Sequence, residues 1–559
     1  MKFNYINTFI LIIFMASCQP KQKQQIVEDS TKDARPNIIV ILADDMGYSD
    51  LGCFGSEIQT PNLDRLAENG MRMTKFYNAA RCCPSRASLL TGKYPHLAGI
   101  GSMTQDFGRP GYEEAIREDA PTIAQVLQPE GYNTYHVGKW HVGSEEKYWP
   151  KHKGFQKDFT FVNGASSYYN LKPYTKTQDS LHLKLTLNGE LYRPGKDFYM
   201  TDAFSDYAVQ FIEEDDEKPF FMYLAYTAPH WPLHALPEDI ARYKGKYSMG
   251  WDSLRVQRYE KMKAMGIISD DTPLSMRSED LPAWKDILEE EREGFETLMA
   301  LYAAVIDRMD QGIGRVIKAL EEKGELDNTL IVFVSDNGGS PERMRKVIYP
   351  TDGELGSERS FPTYGAHWAN VSNTPFRYYK AWVQEGGIAT PFIAHWPKQI
   401  AKGGLNNNYL GHIMDILPTS LDIAGVEYPK ELNGKSIPEA TGKSFLPALK
   451  GEPVSGHDAL FWEHEGVRAM REGDWKLVSN KYYIDETGWN AQIEWQLFNL
   501  KEDPSEMNNV IEQQEALAKN MIAKYEAWAE ANWVVSPQEF FDMKAAWKKE
   551  RGLAPAGKF

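Results

Sequence analysis

Two short stretches set the terms for the rest of this chain. Asn37-Ile38-Ile39-Val40-Ile41-Leu42-Ala43 is an almost continuous apolar run rich in β-branched residues, and Thr329-Leu330-Ile331-Val332-Phe333-Val334 repeats the pattern much later. Such a run offers no polar face to solvent, so it fits a strand covered on both sides, as in the parallel sheets of α/β proteins. Each run stops in oxygen-bearing side chains: Asp44 and Asp45 after the first, Ser335, Asp336 and Asn337 after the second. In open α/β sheets ligands gather at the carboxyl ends of the strands, where these clusters sit. Further strand-like runs lie at Tyr132 to Val137, Phe220 to Tyr226 and Ala389 to Trp396. From Phe295 to Leu320, apolar residues recur at steps of three and four, which predicts a helix. The expected fold is α/β, with a large, mostly parallel sheet flanked by helices.

After about residue 430 the pattern becomes short runs, Ala459 to Trp462, Val467 to Met470, Trp475 to Val478 and Gln496 to Leu500, separated by turn residues. They predict a small antiparallel sheet, with a helix from Glu512 to Ala531 over one face, so that 35–430 form the main α/β domain and 431–559 a C-terminal α+β subdomain. The start of the chain reads differently. Lys2 precedes an apolar run from Phe9 to Ala16, too short to span a bilayer, and Met15-Ala16-Ser17-Cys18 resembles a bacterial lipobox. Residues 1–17 are expected to be a lipoprotein signal peptide and 18–34 a polar tether, with Cys18 lipidated and the protein exported to the periplasm or cell surface. Membrane contact is expected only through that lipid. The formal charge of −16 disfavours a nucleic-acid partner.

Of four cysteines, spending Cys18 on lipid leaves Cys53, Cys82 and Cys83, an odd number that argues against a disulfide framework. The adjacent pair opens Cys82-Cys83-Pro84-Ser85-Arg86, followed by Leu89-Leu90-Thr91-Gly92. This segment resembles the signature of the formylglycine-dependent type I sulfatase family, within the alkaline phosphatase superfamily. The resemblance extends to Asp44 and Asp45, Gly138-Lys139-Trp140-His141, His230 in Ala228-Pro229-His230, Asp336 and Asn337, and Lys380 followed by Glu385-Gly386-Gly387. It is closest to the arylsulfatase-like branch and covers Pro36 to about Asn509.

The resemblance implies an alkaline-phosphatase-like fold and a sulfatase acting on an aryl or carbohydrate sulfate ester. It implies that a maturing enzyme converts Cys82 to formylglycine, whose hydrated form supplies the nucleophile. Asp44, Asp45, Asp336, Asn337 and residue 82 would hold the metal, and hard oxygen donors without a zinc-type His or Cys set point to Ca²⁺. Lys139 and Lys380 would bind sulfate, His230 would protonate the leaving alcohol, His141 would take a proton from residue 82, and Arg86 would hold that residue. Two alternatives stand beside this reading: a formylglycine phosphonate or phosphate ester hydrolase, and a non-catalytic glycan-binding lipoprotein. For the leaving-group side the sequence offers Tyr168, Tyr169, Tyr174 and Tyr192, with Tyr364, His367 and Trp368.

Overall fold

The structure, a computed structural model, describes Met1 and residues 35–553 apart from 173–182, 216–217, 279–280, 344–350, 401–402, 480–483, 486–487 and 490–493. The apolar run Phe9 to Ala16, the lipidation site at Cys18, and Tyr174 lie outside the described residues.

The elements that build the site are, in chain order, β1 (Asn37–Ala43), α1 (Cys82–Thr91), β2 (Asn133–Lys139), β3 (Lys157–Phe161), β4 (Phe220–Ala225), α2 (Glu289–Glu322), β5 (Thr329–Ser335) and β6 (Phe392–His395). They are followed by β7 (Ala459–His464), β8 (Val467–Glu472), β9 (Trp475–Ser479), β10 (Trp495–Asn499), α3 (Glu515–Ala531) and α4 (Pro537–Glu550).

A ten-stranded sheet runs in the order Gly404–Asn406, Met71–Met73, β6, β5, β1, β4, β2, β3, Leu185–Leu187, Glu190–Leu191. Its centre, β5-β1-β4-β2-β3, is parallel throughout. The flanks are mixed, because β6 runs antiparallel to β5 and Leu185–Leu187 antiparallel to β3. The run that ends at Trp396 is therefore an antiparallel member of the sheet.

Along β1, Ile39 and Ile41 point into one core with Met222, Leu224 and Phe333, together with Val305, Met309 and Ile313 of α2. Ile38, Val40 and Leu42 point into the other with Phe221, Tyr223, Val332, and Leu89 and Leu90 of α1. That two-sided burial is why the run has no polar alternation. The periodic helix is longer than its apolar stripe, starting at Glu289, where Glu289, Glu290 and Glu291 occupy the first turn and suit the positive end of the helix dipole.

The C-terminal sheet, β7-β8-β9-β10, is antiparallel. Leu460, Trp462, Ala469 and Val478 on one face join the main core, while Met470, Leu477 and Leu497 on the other meet Met521 and Tyr525 of α3. Helix α4, Pro537–Glu550, lies beyond the predicted elements.

Gly138, paired with Ala225 across β2 and β4, shows how tightly the strands close at their carboxyl ends. Its φ is +119°, and a Cβ there would lie 1.9 Å from Ala225 O. Gly138→Ala should therefore lower stability by about 3 kcal/mol or more, since both a clash and a disfavoured dihedral must be accommodated. Gly266→Ala, at φ +69° with no atom within 4 Å of the added carbon, should cost only about 1 kcal/mol. Urea melts of the two variants check this; equal losses would assign the effect to the dihedral alone.

Candidate active site

The ends of four parallel strands converge. Asp44 and Asp45 follow β1, Asp336 and Asn337 follow β5, Lys139 closes β2 with His141 two residues on, and His230 follows β4. Helix α1 starts at Cys82 and brings Arg86 one turn later onto the same face. Lys380 arrives on a loop tied by its own N–H to Gly339 O at 3.1 Å and by Ala381 N–H to Ala80 O at 2.8 Å. Asp45 at φ 68°, Ala80 at 62°, His141 at 54° and Ala381 at 68° are all left-handed. Such strain costs about 1–2 kcal/mol per non-glycine residue and persists only where the surroundings enforce it.

Ion pairs knit these residues together. Arg86, fully buried, donates through Nε and Nη2 to Asp336 Oδ2 at 3.0 and 2.7 Å and through Nη1 to Lys139 O at 2.9 Å. Its Nη2 is also 3.6 Å from Asp44 Oδ1. Lys139 Nζ lies 2.6 Å from Asp44 Oδ2. Lys380 Nζ is 2.8 Å from Asp45 Oδ1 and 3.3 Å from His230 Nε2, and His230 Nε2 is 3.4 Å from Asp45 Oδ2. His230 Nδ1 donates to Trp231 O at 2.6 Å, which fixes the tautomer and leaves Nε2 towards the charged groups.

The cations do not offset burial completely. Burial pushes Asp44 up to about 6, against the pull of Lys139 and Arg86. It pushes Asp336 up to about 8, with Asp44 adding to the rise. Two buried oxygens, Asp44 Oδ1 and Asn337 Oδ1, accept no hydrogen bond. Asn337 spends its Nδ2 on Asp45 Oδ1 at 2.7 Å, which orders the amide. Three buried carboxylates, two of them with their charged form disfavoured by burial, hard oxygen donors and orphaned acceptors together fit a divalent cation. Ligand atoms of Asp44, Asp45 and His230 lie within 4.8 Å of one another, as do those of Cys82, Cys83 and His141.

Cys82 sits buried beside Cys83. A hydrogen bond from Cys83 holds the Cys82 thiol well below its ordinary value, with Lys139 and His141 also opposing burial. Burial pushes Cys83 up, and the bond to Cys82 adds to that. Burial holds His141 and His230 near 4.

Every residue singled out from sequence for catalysis or metal binding thus lies in one cluster. The proposed aromatic wall behaves otherwise. Tyr364 stacks on Tyr302 at 4.2 Å and Trp368 is fully buried, while Tyr169 bonds Ala235 O. Tyr192 packs on Phe159, and His367 on Trp251. Tyr168 is buried too, its hydroxyl 2.8 Å from both Thr227 O and His230 O, so it braces the His230 loop. Two charged neighbours have no signal in sequence. Glu342 Oε2 lies 3.1 Å from Lys380 Nζ, and its Oε1 lies 3.0 Å from Arg81, the residue before Cys82.

The sulfatase family model matches residues 36–426, more than half of the chain. The chain belongs to the sulfatase family. A second model, for the C-terminal part of N-sulphoglucosamine sulphohydrolase, matches residues 376–530. An arylsulfatase of Klebsiella aerogenes is 37% identical over 429 residues, spanning 74% of this chain and 92% of the relative. An uncharacterised sulfatase of Schizosaccharomyces pombe is 33% identical over 536 residues, 90% of this chain and 96% of that one. The solved structure of Ps i-CgsB in complex with k-i-k-neocarrahexaose is 28% identical with a TM-score of 0.64, covering 89% of this chain and 93% of that chain. The chain is thus a sulfuric ester hydrolase with the sulfatase fold, a large mixed sheet with a separate C-terminal antiparallel sheet.

Arg86 tests the charge balance of this sulfatase site directly. In metal-free buffer, Arg86→Met should cost about 3–5 kcal/mol in urea unfolding, because Asp44 and Asp336 remain buried without it. Arg86→Lys should lose less, since one ammonium keeps the charge but cannot fork to both Asp336 and Lys139 O. A neutral outcome for Arg86→Met would show that the carboxylates are balanced without it.

Proposed function

We propose that the protein hydrolyses the sulfate ester of an aryl or carbohydrate alcohol to the alcohol and inorganic sulfate, after a maturing enzyme has oxidised Cys82 to formylglycine. Asp44, Asp45, Asp336, Asn337 and residue 82 hold Ca²⁺. The observation that carries this reading is the convergence of residue 82, three buried carboxylates, the orphaned oxygens of Asp44 and Asn337, and two buried lysines at the ends of parallel strands. The Klebsiella aerogenes arylsulfatase and the neighbour solved with a neocarrahexaose support aryl and carbohydrate esters as the substrate class.

When bound, hydrated formylglycine supplies an oxygen nucleophile and Ca²⁺ a Lewis acid for sulfate oxygens. The chain's own residues supply the rest. Lys139 and Lys380, both buried, bind the non-bridging oxygens, so their charge acts at low dielectric. Arg86 fixes Asp336 and, through Lys139 O, the end of β2. His230 Nε2 gives a proton to the departing alcohol oxygen; burial favours its neutral form, and the negative charge of a bound ester pushes the other way. His141, kept neutral by burial, accepts a proton from residue 82. The proposal includes export as a periplasmic or cell-surface lipoprotein anchored through lipid on Cys18, with no nucleic-acid partner.

Mass spectrometry of the peptide containing position 82, from protein made in its native host, is the deciding measurement. Formylglycine is expected at 82 and an intact thiol at 83. Cys82→Ala should abolish turnover with the fold retained, and Cys83→Ser should be nearly silent. Unmodified Cys82 in a fully active enzyme would overturn the reading. Exhaustive chelation should lower both turnover and melting temperature, and Ca²⁺ should restore both. A cation at a hundred times its Kd stabilises by about 2.7 kcal/mol. Full activity after chelation, with no metal found by elemental analysis, would refute the calcium assignment.

A further inference from the structure

The chemistry above leaves the carboxylate of Glu342, paired with Arg81 beside Lys380, without a task. Glu342 lies in the loop after Asp336, with its side chain 25% exposed, so it stands at the rim rather than beside the orphaned oxygens. Its Oε2 accepts from Lys380 Nζ at 3.1 Å, from Trp231 Nε1 at 2.8 Å and from Ser340 Oγ at 3.2 Å; its Oε1 accepts from Arg81 Nη2 at 3.0 Å. Trp231 adjoins His230, and Arg81 adjoins Cys82. One carboxylate therefore touches Lys380 itself and the chain neighbours of two more site residues, His230 and Cys82. Burial alone would raise its pKa, but Lys380 and Arg81 outweigh that and keep it ionised.

Lys380 Nζ is almost fully buried and already faces two anions, Asp45 at 2.8 Å and Glu342 at 3.1 Å. An ester oxygen bound there is a third. The repulsion from a fixed negative charge one hydrogen bond away from the lysine scales with the charge of the incoming group. A sulfate monoester carries one negative charge. A phosphate monoester of nearly the same shape carries two once the pH exceeds its second pKa of about 6. Shape separates these ligands poorly, whereas a charge built against the second one separates them well. Arg81, 3.0 Å from Glu342 Oε1, offsets part of this charge, and neutralising Glu342 alone would leave the Arg81 cation beside the site, which favours a dianion further.

We propose that Glu342 is a specificity-determining residue that selects singly charged sulfate esters against doubly charged phosphate monoesters. The inference rests on the reading of Lys380 as a ligand for the ester's anionic group.

The test uses matured, calcium-loaded enzyme with 4-nitrophenyl sulfate and 4-nitrophenyl phosphate at about pH 8, where the phosphate ester is a dianion. Glu342→Gln should reduce the sulfate-to-phosphate ratio of kcat/KM by roughly tenfold or more, chiefly through a lower KM for the phosphate ester. Glu342→Asp keeps the charge and should stay within about threefold of the wild-type ratio. If Glu342→Gln slows both substrates by one factor, or Glu342→Asp matches it, the carboxylate only braces Lys380 and the inference fails. A wild type that turns over sulfate and phosphate equally well also overturns it. A wild type active on neither ester overturns the reading of the site itself, and the inference with it.

Discussion

The structure of this site depends on burying three carboxylates together without letting them repel the strands apart. Arg86 is the group that makes this tolerable, and its place in the chain explains the spacing of the surrounding motif. Residues 82 and 86 are one helical turn apart, so the Cys82 side chain and the guanidinium that binds Asp336 share one face of α1. Ser85 pins the same turn from the other side, donating to Asp336 O at 2.5 Å while accepting from Ala79 N–H at 2.9 Å. Pro84 falls in the first turn, where a missing N–H removes no intrahelical bond. Each position of Cys-Cys-Pro-Ser-Arg thus has a physical task, except Cys83, whose contact is with the neighbouring thiol.

Arginine is required where lysine would not serve. A planar fork reaches Asp336 twice and a backbone carbonyl once, and it stays charged when buried. Even so, burial keeps Asp44 and Asp336 partly inclined to hold protons, and two acceptors remain open. An arrangement that holds carboxylates in this way would bind a cation with energy already present in the fold. Weakly paired buried oxygens are the structural cost of that readiness.

Much of this was legible in the sequence because it is local. A run such as Asn37–Ala43 can only be a strand covered on both faces, and the acids that follow it have only the sheet's carboxyl edge to occupy. Strand direction is not local. The run that gives Phe392–His395 is buried like the parallel strands at the centre of the sheet, yet it lies antiparallel to both its neighbours because of the route the chain takes to reach it. The described aromatics of the loops pack down rather than line the site for a related reason. Tyr364 and Trp368 sit close to Lys380 in sequence, but apolar area drives them into the core against Tyr302 and Trp251. Glu342 and Arg81 carry no pattern at all, since their meaning arises only when distant loops meet at Lys380.

The C-terminal sheet belongs in the same argument, because it holds the loop that carries Lys380. Lys476 on β9, wholly buried, is 2.6 Å from Glu385 and 2.9 Å from Glu506, and Glu385 Oε2 accepts from Tyr77 at 2.8 Å. Glu385 stands directly before Gly386, where an added Cβ would lie 2.2 Å from Arg377 O, so the chain on either side of Lys380 is wrapped closely against itself. A buried ion pair adds little net stability compared with apolar packing of the same volume, but breaking one partner is costly. What the structure shows of it is positional: Lys476 ties β9 to Glu385, five residues after Lys380, and so links the C-terminal sheet to the segment that carries the site lysine.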